Sequence, residues 1–111
     1  MKKVIMLLGL LSQSAYSYHF CTGIIEDVWV EADGDTYING SWAGHTQICK
    51  VGGDWKGVNA EVCKAWLSIA QVAHSTGGNV IVRYSDDAIS SCSEIPAYSA
   101  APIPNYLMLD N

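Results

Sequence analysis

Cys21, Cys49, Cys63 and Cys92 are the only cysteines of the chain, and all four follow an N-terminal segment with the form of an export signal. Lys2 and Lys3 give it a positive start, residues 4–11 are apolar apart from Gly9, and residues 12–17 are small or polar. Ala15 and Ser17 satisfy the small-x-small pattern of a cleavage site, which places the cut between Ser17 and Tyr18. The apolar run is far short of the roughly 20 residues that span a bilayer, and no later stretch is long and apolar enough to hold the mature chain in a membrane. Residues 1–17 are therefore expected to be a signal peptide and 18–111 a single exported domain, in the periplasm or outside the cell.

Removing 17 of 111 residues leaves 94, near the lower end of what one hydrophobic core can hold together unaided. An even number of cysteines in so short an exported chain reads as a disulfide framework. Three pairings are open. Cys49–Cys92 with Cys21–Cys63 is the preferred one, tying a strand to a late loop and the N-terminus to the helix. Cys21–Cys92 with Cys49–Cys63 is the nearest alternative. A zinc site is not expected: no pair has C-x-x-C spacing, and His19, His45 and His74 bear no regular relation to the cysteines. No cofactor is implied.

Beyond residue 17 the basic residues are Lys50, Lys56, Lys64 and Arg83, against 11 acidic ones. Phosphate backbones and anionic lipid surfaces attract basic footprints, so nucleic acid and membrane surfaces are excluded as partners on charge.

Residues 22–31 alternate, with Ile24, Val28 and Val30 on one face, Trp29 on the other, and Glu26 interrupting the first. Asp33-Gly34 is a hairpin signal, and 36–42 is the return strand. A third strand is expected over 46–51. Asn59 is a fitting N-cap for a helix whose apolar positions are Val62, Ala65, Trp66, Ile69, Ala70 and Ala73, and Gly77-Gly78 ends it. Residues 80–85 alternate as a fourth strand, the three prolines make 95–105 irregular, and 106–109 is a fifth strand. The order β-β-β-α-β-β is mostly β with one helix. It suits an OB-like five-stranded barrel, with an open α+β sheet as the alternative.

The Gly-led first strand (Gly23-Ile24-Ile25), a Cys on the third strand, and a helix passing through Gly77-Gly78-Asn79 into Val80-Ile81-Val82-Arg83-Tyr84 resemble small exported OB-fold proteins. That group includes B subunits of pentameric bacterial toxins of the subtilase-cytotoxin and pertussis-like type. The resemblance implies a closed barrel, assembly into a homo-oligomeric ring and binding of a glycan; no particular glycan-contacting serine can be matched.

Four tryptophans remain in the mature chain. Trp66 lies on the helix's apolar face and Trp42 ends a strand, so both are expected in the core. Trp29, among acidic neighbours, and Trp55, in a Gly-rich loop, are the candidate ligand-binding residues, because aromatic faces flanked by polar groups stack on sugars and protein partners. Asp33 and Asp35 could offer oxygens to calcium, but nothing else in that loop has calcium-site spacing, and a solvated hairpin tip is the preferred reading. Ser90, Ser91 and Ser93 belong to no nucleophile motif, and Asn39-Gly40-Ser41 matches a glycosylation acceptor only by chance. The expectation is a non-catalytic binding module for a glycan or a protein, with a monomeric envelope or inhibitor-type interaction protein as the alternative.

Overall fold

The computed structural model describes residues 18–110; the expected signal peptide, 1–17, lies outside the described residues, as does Asn111. The strands are β1 (Tyr18–Val30), β2 (Asp35–Gly40), β3 (Thr46–Lys50), β4 (Asn79–Ser85) and β5 (Tyr106–Asp110). One helix, α1 (Ala60–Thr76), lies between β3 and β4. All pairings are antiparallel, in the order β3-β2-β1-β4-β5.

β1 serves two partners in succession. Its first part, Tyr18 to Ile24, pairs with β4, and its second, from Ile25 onward, pairs with β2. A bulge at Glu26 separates the two parts. An extra residue in one strand reverses the inward–outward phase beyond it. Before the bulge Cys21 and Ile25 point inward; after it Val28 does. Ile24 is consequently 43 % exposed, where simple alternation put it on the same face as Val28. That expectation fails because it assumed one uninterrupted ladder.

α1 packs on the inner face, against β1, β5 and β3. Asn59 caps it by accepting a hydrogen bond from the Val62 N–H, and Gly77, at φ 72°, closes it in the left-handed conformation. The buried stripe is Cys63, Trp66, Ala70 and Ala73, not the stripe through Val62 and Ala65. The disulfide at Cys63 turns that side of the helix inward. Val80, Val82, Tyr84 and Leu107 complete the core from the sheet, and Trp42 packs at its margin. Near the helix end the Ile25 carbonyl accepts a hydrogen bond from His74 Nδ1–H at 3.1 Å, next to the bulge.

The bridges are Cys21–Cys92 and Cys49–Cys63, the alternative pairing rather than the preferred one. Cys63 opens the buried stripe of α1, which lies against β3, so its nearest cysteine is Cys49. Cys21 then takes Cys92, in the short 3-10 turn Cys92–Glu94 that touches β1.

The expected barrel does not close. β3 and β5 remain the two edges, and the molecule is the open α+β sheet. The reason lies in residues 95–101, which run beside β3. Tyr98 N–H donates to the His45 carbonyl at 2.7 Å, and Thr46 and Tyr98 form a parallel bridge. This strap occupies the side of β3 that a closing strand would need.

Candidate functional site

The outer face of β1 and β2 carries an aromatic group separate from the core. Register places Trp29 opposite Tyr37, and Tyr37 opposite Gln47. The Trp29 and Tyr37 rings stack with centroids 5.3 Å apart and planes 9° from parallel. His45, in the turn before β3, meets Trp29 edge-on at 5.8 Å. Tyr98 arrives from the strap and contacts both Tyr37, at 6.0 Å, and His45, at 5.5 Å. Tyr37 is buried beneath the others, Trp29 is half-buried, and Tyr98 is 54 % exposed. The four rings touch in a closed cycle and form an aromatic cradle in which Tyr37 is the buried member and His45 and Tyr98 are exposed.

The strap is held under backbone strain. Among the described residues the non-glycine residues with positive φ are His45 (54°), Lys56 (51°) and Tyr98 (57°). Side chains rarely adopt this region, and each such residue costs about 1–2 kcal/mol. All three converge on the strap: His45 accepts from Tyr98, while Lys56 Nζ donates to the carbonyls of Ser99 at 2.9 Å and Ala101 at 2.8 Å. Strained residues gather where the surrounding structure fixes them for a purpose, and binding sites are the usual place.

Lys56 owes its position to a tight turn. Lys56 and Gly57 both have positive φ, Trp55 and Val58 exchange two backbone hydrogen bonds, and Asp54 accepts from the Gly57 N–H. The ammonium also sits 4.8 Å over the Trp55 ring. Lys56→Met should lower stability by about 2 kcal/mol, because Ala101 is fully buried and its carbonyl would lose a charged donor. Hydrogen exchange at the Tyr98 amide should accelerate in the same variant. Unchanged exchange there would mean that Lys56 does not hold the strap.

The electrostatics of the rim are acidic. The carboxylates of Glu31, Asp33 and Asp35 offer oxygens within 4.8 Å of one another at the β1–β2 turn. Two of them are already engaged: Asp33 accepts from the Asp35 N–H, and Asp35 pairs with Lys50 at 3.4 Å. The Asp35 N–H holds the Asp33 carboxyl below its ordinary value. Burial, reinforced by Glu31, Asp35 and Asp33, pushes the Tyr37 phenol above its own. Gln47, fully buried beside Tyr37 in register, donates through Nε2 to the Cys49 carbonyl, and its Oε1 has no partner among the described residues.

Of the two candidate ligand-binding residues, the structure brings Trp29 into the cradle and leaves Trp55 at the far end of the strap, under Lys56. No ring contact joins the two among the described residues. Sequence reasoning did not select Tyr37, His45 or Tyr98 for this site. Tyr37 had a usable signal, since the Asp33-Gly34 turn sets Trp29 opposite it; Tyr98 sits in an aperiodic stretch and had none. Among the described residues no hydrogen bond joins a serine side chain to a histidine side chain. Ser90 donates to Glu94 and Ser91 bonds Ser93, while His19 pairs with Asp86, His45 joins the cradle and His74 holds Ile25. Among the described residues no helix is long and apolar enough to cross a membrane. Comparisons with protein-family models, with curated proteins and with solved structures returned no match.

Proposed function

We propose that this domain is an exported, non-catalytic binding module that takes a neutral sugar on the Trp29–Tyr37–His45–Tyr98 cradle. The observation that carries the reading is the convergence of the strained side-chain-bearing residues His45, Lys56 and Tyr98 on the strap that brings Tyr98 to the other rings. Sugar C–H faces pack on aromatic rings, and hydroxyls need acceptors around them. Glu31 and Asp33 supply acceptors at the rim, and the same negative charge disfavours acidic sugars. The two disulfides are those of a chain that matures in an oxidising compartment, in keeping with export to the periplasm or the medium.

The test is a screen of the oxidised protein against immobilised glycans, followed by titration of its tryptophan fluorescence with each neutral sugar that binds. Trp29→Ala and Tyr98→Ala should each weaken binding at least tenfold, whereas Trp55→Ala leaves it unchanged. No bound glycan up to millimolar concentration, or binding indifferent to both cradle variants, would sink the proposal.

A further inference from the structure

The outer face of β1, β4 and β5 is a second surface left uncovered by the described residues, and register orders it in three rows. Phe20, Arg83 and Tyr106 form the first; Thr22, Ile81 and Met108 the second; Ile24, Asn79 and Asp110 the third. Phe20 is 55 % exposed, and Ile24 and Met108 are exposed with it. The face is thus apolar with a cation at one end and a carboxylate at the other.

Arg83 is held ready for a partner. Its guanidinium lies between the Tyr18 ring at 4.1 Å and the Tyr106 ring at 4.9 Å. Its Nε is buried and without an acceptor among the described residues, and no carboxylate lies within salt-bridge distance there. The described lysines differ: Lys50 has Asp35, Lys64 has Glu61 and Lys56 has two carbonyls. In a chain with 11 acidic residues, an arginine fixed by two rings and lacking a carboxylate is unusual. Stacking sets the plane of the guanidinium, and that fixed fork suits a carboxylate. Aromatic residues, Met and Arg are also what protein interfaces concentrate.

We infer that the occupant is a second copy of this chain, docked face to face, with Arg83 of each copy bound to Asp110 of the other. The row order makes the surface self-complementary. A two-fold axis lying between the faces, perpendicular to the strands and level with Ile81, sets the first row over the third row of the second copy. Arg83 then faces Asn79, with Asp110 one strand over and within reach of its guanidinium, Tyr106 faces Asp110, Phe20 faces Ile24, and Ile81 and Met108 meet their own counterparts. A C2 interface has this reciprocal form. The other two-fold, along the strands, would set Arg83 against Arg83 and is disfavoured by repulsion. Three strands about 4.8 Å apart give a small patch, so the pair is a reversible one, dissociating at micromolar concentration.

This inference does not depend on what the aromatic cradle binds, and its readout is mass rather than ligand. Sedimentation equilibrium of the oxidised protein over micromolar to millimolar concentrations should show a monomer–dimer equilibrium. Arg83→Glu and Asp110→Arg should each weaken dimerisation at least tenfold, and the double variant carrying both should recover most of the loss. Asp110→Arg lies on an exposed position at the strand end, so it keeps the test valid if Arg83→Glu impairs folding. A monomer throughout the range overturns the inference. So does a larger particle indifferent to Asp110→Arg, or a double variant that dimerises no better than either single one.

Discussion

Replacing Cys21 and Cys92 together by alanine should lower the free energy of unfolding by about 4 kcal/mol, and replacing Cys49 and Cys63 by about 3 kcal/mol. The ranking follows from the loops that the bridges close, 71 residues against 14 in sequence separation. A cross-link stabilises chiefly by restricting the unfolded chain, and the restriction grows slowly with loop length. Cys21, Cys49 and Cys63 are almost wholly buried, so alanine avoids adding an unpartnered hydroxyl to the core. A domain of this size has only about 5–10 kcal/mol to lose, and the variant lacking both bridges should be largely unfolded at room temperature. Urea unfolding of the variants, with peptide mapping of the oxidised parent, checks both the pairing and the ranking. A larger loss on removing Cys49–Cys63 would show that native packing around α1 outweighs the entropy of the unfolded chain.

Gly34→Ala should cost about 2–4 kcal/mol, the largest effect expected from adding one methyl group to this chain. Gly34 has φ +95°, and a Cβ there would lie 2.3 Å from the Val51 carbonyl oxygen, a backbone atom that cannot swing aside. The surrounding hydrogen bonds tie the turn in place: Gly34 N–H donates to the Glu31 carbonyl, and the Gly34 carbonyl accepts from the Val51 N–H. Relief of the clash would break the second of these. Gly52→Ala is the matched control, because Gly52 has φ +82° and nothing within 4 Å of its virtual Cβ. It should show only the conformational penalty, about 1 kcal/mol. Equal losses in the two variants, measured by thermal or urea unfolding, would refute the steric part of the argument.

The parts of this fold that were legible in the sequence are those written in local chemistry. Asn59 and Gly77 bound the helix by capping, Asp33-Gly34 marks the first hairpin, and the alternation of Val80, Val82 and Tyr84 gives β4 its inner face. The parts that were not legible depend on partners distant in sequence. Glu26 reads as a flaw in an alternating strand, yet it is the bulge at which β1 changes neighbours. Cys63 belongs to the same helical stripe as Trp66, Ala70 and Ala73, and leaving it out set the expected stripe to one side of the buried one. Closure of the barrel turned on residues 95–101, whose single proline and small residues carry no periodicity. The cradle was half legible. Trp29 stands out by composition, but Tyr98 reaches it through a path that no spacing rule describes.

The strap along β3 has a consequence for growth. A sheet with two bare edges can add further copies of itself strand by strand without limit, the route to fibres. Here Thr46, Gln47, Ile48 and Cys49 are all buried, and the backbone at the β3 end is already bonded to Tyr98. β5 is left as the bare edge among the described strands, with Met108 and Asp110 exposed. A molecule with a single bare edge can be joined through it once, and the chain reaction of strand addition then has no place to continue.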